Sequence, residues 1–142
     1  MTPVVRRVTW ADACEVLKEI RFKVFVEEQA VPIEEELDGM DEVSTHFIAS
    51  LDGNPVGVAR LMPSGQIGRM AVLIPYRRNG IGALLLCAAV NEALENGHVE
   101  PFLHAQTHAL SFYEENGFSA FGELFLDAGI EHRAMRYVGS KK

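Results

Sequence analysis

Cysteine is scarce in this chain: Cys14 and Cys87 are the only two among 142 residues. Two cysteines build neither a disulfide framework nor a four-ligand zinc site, so a reducing cytoplasm is the expected compartment. Long apolar runs are also missing. The longest, Ala83 to Val90, has eight residues, far short of the roughly 20 needed to span a bilayer, so no membrane partner is expected. Positive charge is in short supply, with 13 Lys plus Arg against 20 Asp plus Glu and a net charge of −7. That balance argues against a sequence-independent grip on nucleic acid or anionic lipid. Internal repeats and Pro/Gly/Ser-rich linkers are lacking too, so one domain over residues 1–142 is expected. Arg6 and Arg7 lie in the first ten residues without an apolar stretch behind them, so no secretion signal is expected. What remains is an ordinary globular composition, 48% hydrophobic and 23% charged, in a chain long enough to bury about two-thirds of its unfolded surface.

The patterning predicts an α+β domain. Val4 to Val8 reads as a strand. Thr9, with Asp12 three residues on, reads as a helix N-cap. The helix it opens runs to about Phe25, with Val16, Leu17, Ile20 and Val24 at helical spacing. Glu27 to Glu42 carries eight acidic residues and no basic one, broken by Pro32 and Gly39, and reads as loop with one short helix. Three antiparallel strands follow at Thr45 to Leu51, Pro55 to Leu61 and Gln66 to Leu73, the first two joined by the Asp52-Gly53 turn. After Pro75, a helix leads from Arg77 to Gly82 onward to about Asn96, stopped by Gly97. Its apolar run predicts burial over most of its circumference. Phe102 to Ala105 reads as a strand and Ala109 to Asn116 as a short helix. Phe118 to Phe125 and Glu131 to Tyr137 read as a closing strand pair, and Gly139 to Lys142 as a frayed tail. The expected architecture is a mixed, mostly antiparallel sheet flanked by helices.

The most informative segment is Arg77-Arg78-Asn79-Gly80-Ile81-Gly82, between an apolar strand and an apolar helix. Glycines allow close backbone approach, and the unpaired N–H groups of a helix start suit a diphosphate through their own polarity and the helix dipole. Arg77 and Arg78 could add charge-assisted contacts. A plain glycine-bearing turn with a solvated basic pair is the competing reading. No Gly-Lys-Ser/Thr follows and the three-glycine dinucleotide spacing is absent, so neither a P-loop nor a dinucleotide site is expected. His104-x-x-x-His108 flanks a strand-to-helix transition without the Glu of a metalloprotease helix, and no calcium loop spacing is present around Asp38 and Asp41, so no metal is expected. Cys87 and Cys14 read as inert thiols in apolar segments.

Arg77-x-x-Gly80-x-Gly82 after Ile67-Gly68-Arg69-Met70-Ala71-Val72 resembles the acyl-coenzyme A signature of the GNAT superfamily of N-acyltransferases. Ala109 to Phe118 resembles its downstream helix-and-turn motif. Phe25-Val26-Glu27-Glu28-Gln29, Glu36-x-Asp38, His104-Ala105-Gln106 and Gly129-Ile130-Glu131-His132 extend the similarity to the small ElaA-like bacterial subgroup. The resemblance implies the GNAT fold, with splayed strands at the cofactor site and acetyl-coenzyme A as co-substrate. It implies coenzyme contacts from Met70, Ala71 and Val72, from Arg77, Arg78, Asn79, Gly80, Ile81, Gly82 and Ala83, and from Phe112 and Tyr113. Tyr113 would act as general acid toward the leaving thiolate. The acceptor would be an amine of a small molecule or protein, and a homodimer is left open.

An ammonium has no lone pair, so an attacking amine with a pKa near 10 must lose a proton first. Glu28, His104, His132 and, through a water, Gln106 are the candidates, of which Glu28 and Gln106 are placed with Tyr113 as catalytic. Each also has a plain reading as surface charge or strand packing. The acidic segment reads either as a solvated face or as a cation-attracting wall of the acceptor pocket. A non-catalytic acyl-coenzyme A sensor is the alternative to the enzyme.

Overall fold

The computed structural model describes residues 2–139, so most of the expected tail lies outside the described residues. Strand β1 (Val4–Val8) leads into α1 (Trp10–Arg21), whose start is fixed by Thr9 Oγ1 accepting the Asp12 N–H at 3.2 Å. From Phe22 to Glu28 the helix widens into π-helical turns, closed by the Gln29 N–H on Val24 O at 3.1 Å. The helix therefore reaches past the expected Phe25. Glu28 and Gln29, which the periodicity left to the loop, hang on its end. A short α2 (Ile33–Glu36) follows.

Strands β2 (Thr45–Leu51), β3 (Asn54–Leu61) and β4 (Gln66–Val72) form the expected antiparallel meander. A 3-10 turn at Ile74–Tyr76 then leads to α3 (Ile81–Glu95). After it come β5 (Phe102–Gln106), a 3-10 turn (Thr107–Ala109), α4 (Leu110–Glu115), β6 (Phe118–Asp127) and β7 (Ile130–Tyr137). The sheet order is β1-β2-β3-β4-β5-β7-β6, so the closing hairpin folds back and its second strand pairs with β5. Period-2 alternation divides the sheet into two faces. Phe47, Ala49, Ala59, Leu61 and Leu103 face α3, whereas Ile48, Val58 and Ala71 face Leu17, Ile20 and Val24 beneath α1.

Helix α3 buries one stripe, Ile81, Leu85, Leu86, Ala89, Val90 and Ala93, and leaves Leu84, Leu94 and Cys87 exposed. The expected burial over most of the circumference fails because the helix packs one stripe on the sheet and, among the described residues, leaves its outer side open to solvent at Leu84, Cys87, Asn91 and Leu94. Cys87 is accordingly an exposed thiol and not a buried one.

Two irregularities shape the centre. Beta-4 and β5 are parallel and pair only at Gln66 with Phe102 and Ile67 with Leu103, after which they part. Opposite Ala59, β4 carries the two residues Arg69 and Met70 between the pairs Arg60–Gly68 and Val58–Ala71. This is a β-bulge, and Arg69 adopts a left-handed φ of 46°. Bulges bend and twist the strand that carries them, and here the bend begins where β4 leaves β5.

Candidate active site

The loop from Arg77 to Gly80 joins the diverging end of β4 to α3. Arg78 (φ 65°) and Gly80 (φ 77°) both take left-handed conformations, which turn successive peptides so that their N–H groups form a concave nest. Asn79 Nδ2 donates back to Tyr76 O at 3.2 Å and holds the loop in shape. The Arg77 N–H donates to Ile74 O at 3.3 Å, and the next N–H with a main-chain partner is that of Leu84, on Gly80 O at 3.2 Å. Among the described residues, the N–H groups of Arg78, Asn79, Gly80, Ile81, Gly82 and Ala83 have no protein acceptor. The 15-residue α3 adds the positive end of its dipole to the same place.

Arg77 is engaged elsewhere. Its Nε donates to Val72 O at 2.7 Å, and its two terminal nitrogens clasp the Glu28 carboxylate at 2.6 and 2.8 Å. Those hydrogen bonds, with the Arg77 charge, hold the Glu28 carboxyl below its ordinary range despite partial burial. The expected phosphate contact and the expected base are thus each other's partners, and Arg78 is the exposed cation left beside the nest.

Beyond the bulge, Ala71 pairs with Val58 and the Leu73 N–H donates to Val56 O at 2.9 Å. Strand alternation therefore turns the main-chain groups of Met70 and Val72 away from β3, into the gap that β5 has vacated. The gap is a slot edged by main-chain groups of Met70 and by the Val72 N–H, the Val72 carbonyl being held by Arg77 Nε. At its far wall, the Phe112 ring comes close to the start of α3, since a Cβ on Gly82 would stand 3.4 Å from Phe112 Cζ. Tyr113 packs edge-on against Phe112 and Phe118. Burial alone pushes its hydroxyl up to about 12, so it remains protonated at neutral pH.

Gln106, at the end of β5, donates from Nε2 to Gln29 Oε1 at 2.9 Å and accepts at Oε1 from His108 Nε2 at 2.7 Å. It bridges β5 to the end of the π-helical segment, a role that its sequence position did not disclose. His132 is buried, with Nδ1 2.7 Å from Ile130 O. His104 is exposed, stands edge-on to Phe125 at 5.1 Å between ring centres, and has Gln66 Nε2 3.4 Å from its Nδ1. Burial of its ring, chiefly, holds its pKa below the usual value, with Asp127 opposing that effect and His132 adding to it.

Most of the acidic segment is the solvated face expected as one reading, with Glu27, Glu34, Glu35 and Glu42 exposed, but part of it turns inward. Glu36 and Asp41 are buried, and with Asp38 they pair with Arg21, Arg60 and Arg69. Arg21, 1% exposed, sends Nε and Nη2 to Glu36 at 3.0 Å and Nη1 to Asp41 at 2.7 Å. Arg60 bonds Asp38 at 2.7 and 2.9 Å and Asp41 at 3.0 Å. The acidic excess had a signal in it: cations had to come from elsewhere in the chain, and β3, β4 and α1 supply them. No three metal-ligating side chains converge among the described residues.

A GNAT acetyltransferase domain profile matches residues 12–138. The chain belongs to the GNAT acetyltransferase family. Among GNAT relatives, it is 38% identical over 120 residues to the uncharacterized N-acetyltransferase YjcF of Bacillus subtilis, covering 82% of this chain and 86% of that protein. It is 30% identical to an acyl-CoA N-acyltransferase from Pseudomonas aeruginosa, with a TM-score of 0.85 over 96% of this chain and 100% of that one. Escherichia coli ElaA shares the GNAT fold at a TM-score of 0.84, 24% identity, and coverage of 94% and 99%. GNAT proteins use acyl-coenzyme A, and the nest of free N–H groups beside an edged slot suits a diphosphate joined to an amide-bearing arm.

Proposed function

We propose that this GNAT protein transfers an acetyl group from acetyl-coenzyme A to a primary amine of a small molecule or protein, by direct attack in a ternary complex. The observation that carries the reading is the row of six unpaired N–H groups from Arg78 to Ala83 at the open end of the β4–β5 gap. In this reading those groups, with Arg78 and the α3 dipole, hold the diphosphate, while Phe112 closes the side. Main-chain groups of Met70 and the Val72 N–H, with Ala71 between them, take the pantetheine amides and polarise the thioester carbonyl as negative charge develops on it. Acetyl-coenzyme A would supply an already activated acyl group, so no covalent enzyme intermediate is required. The amine nitrogen forms the new bond, the carbon–sulfur bond breaks, and the amine gives up a proton.

Tyr113 serves the sulfur as a hydrogen-bond donor. With its hydroxyl at about 12 and a thiol near 8.5, outright proton transfer would run uphill by over three pKa units, roughly 5 kcal/mol. A donated hydrogen bond stabilises the thiolate without that cost. For the amine proton, Glu28 is clasped by Arg77, Gln106 is bridged on both sides and His132 is buried, which leaves His104 as the acceptor we assign. Arg77 and Glu28 act together as a buttress of the loop. Two free thiols, one exposed, suit a reducing compartment, and we place the enzyme in the cytoplasm.

Calorimetric titration with acetyl-coenzyme A, followed by thiol release against a panel of amines, tests the reading. Saturable binding and release with at least one amine are expected. Binding without release from any amine would make the protein a coenzyme sensor, and no binding would overturn the assignment altogether.

A further inference from the structure

Arg69 combines three features that rarely coincide: a Cβ-bearing residue, a left-handed backbone inside a strand, and a side chain drawn into a buried ion cluster. Its Nη2 donates to the carbonyls of Glu35 at 3.3 Å and Glu36 at 3.0 Å and to Asp38 Oδ2 at 3.2 Å. Its Nε lies 2.8 Å from Glu36 Oε2, off the N–H axis. Those acceptors are fixed in turn, because Glu36 is gripped by Arg21 and Asp38 by Arg60. A residue with a Cβ leaves the left-handed region unless something holds it there. The next residue along the strand is Met70, whose main chain faces the gap.

We propose that Arg69 is a positioning residue: the arm from Glu35 to Asp38 tethers its side chain, the tether keeps the β4 bulge, and the bulge aims the Met70 peptide into the β4–β5 slot. The acidic segment is on this account a brace for the strand, and the inference rests on the acyltransferase reading of the slot. Without the tether, a residue bearing a Cβ relaxes toward regular β-pairing with β3 and Met70 turns with it. A glycine at the same place keeps the positive φ with no tether, since the region is open to it without steric cost.

Two substitutions separate geometry from mere stability. Arg69→Ala and Arg69→Gly remove the same ion pairs, so loss of the cluster lowers the melting temperature of both, and glycine, unstrained at positive φ, melts no lower than alanine. Turnover, measured by thiol release with an amine that the wild-type protein accepts, should fall at least tenfold in Arg69→Ala. It should stay within about threefold of wild type in Arg69→Gly, with KM for acetyl-coenzyme A changed less than threefold in both. Crystal structures should show a negative φ at residue 69 in the alanine variant and a positive one in the glycine variant. Equal turnover in the two variants, or a positive φ retained in Arg69→Ala, would overturn the proposal. Failure of the wild-type protein itself to bind acetyl-coenzyme A would instead overturn the acyltransferase reading.

Discussion

Replacing Gly80 by alanine tests the diphosphate nest against a matched control elsewhere in the chain. Gly80 has φ of 77°, and Gly53, in the β2–β3 hairpin, has φ of 80°; a Cβ at either would meet nothing within 4 Å. Alanine in that region costs about 1–2 kcal/mol, and for a chain of this size each variant should melt roughly 3–8 °C below wild type. The stability loss is therefore common to both. Coenzyme affinity should differ. At Gly80 the methyl group stands beside the unpaired N–H groups, where phosphate oxygens must approach to about 2.7–3.2 Å. Loss of one charge-assisted hydrogen bond, worth about 1.5–3 kcal/mol, raises Kd by roughly 10- to 100-fold. Gly82→Ala, in the first turn of α3, has a helical backbone and an ordinary 3.4 Å contact with Phe112, so its melting point should not fall. Calorimetric titration with acetyl-coenzyme A reads the affinities and differential scanning the stabilities. A Gly80→Ala protein that binds within threefold of wild type, or a Gly53→Ala protein weakened as much as Gly80→Ala, refutes the nest as the anchoring point.

Tyr113→Phe removes the donor and keeps the ring packing, so turnover in the thiol-release assay should drop about 10-fold or more while coenzyme affinity moves less than threefold; an unchanged rate would remove Tyr113 from the sulfur. Glu28→Gln should alter turnover less than threefold, because the carboxylate is committed to Arg77, and its ion pair is exposed enough that stability should change by less than about 1 kcal/mol. His104→Ala should be slowest relative to wild type near neutrality and recover toward it near pH 10, where an amine sheds its proton unaided; a deficit constant with pH would exclude His104 as proton acceptor. Melting temperature should also depend on pH with a fixed sign. Burial, chiefly, holds His46 below its ordinary pKa, whereas in Asp38 and Asp41 hydrogen bonds and charges from Arg60 and Arg21 overcome burial and hold the carboxyls down. In each case the unfolded chain takes up protons first. Stability should be full above about pH 6.5, decline below it as unfolded His46 protonates, and steepen below about pH 4; a melting temperature that rises between pH 6.5 and 5 contradicts the assignment.

Local chemistry explains how much of the site could be read from residue order. Thr9 with Asp12, the Asp52-Gly53 turn and the alternation of Phe47, Ile48 and Ala49 each act through neighbours a few residues away, and the elements appear where those signals stand. The glycine-bearing loop was legible for the same reason, since left-handed Gly80 and the helix start it opens are properties of six consecutive residues. Partner choice was not. Arg77 reaches Glu28 across 49 positions and Arg60 reaches Asp38 across 22, and no periodicity encodes which of several arginines takes which carboxylate. The bulge escaped because Gly68-Arg69-Met70-Ala71 has ordinary strand composition, and its left-handed residue is an arginine held by distant groups. The insertion of β7 between β5 and β6 escaped because hairpin signals fix which strands are joined and leave open which of the two joins the sheet.

Only two residue pairs connect β4 to β5 by main-chain hydrogen bonding, so the seven strands behave mechanically as a four-stranded leaf and a three-stranded leaf sharing a short spine. An elongated guest with amide groups along its length would restore the rungs missing beyond that spine. Its arrival should be felt as a stiffening of one leaf against the other, with slower amide exchange along β5 as well as β4. The resting sheet is thus open along one line, and in the proposed reading the coenzyme's arm is the part that completes it.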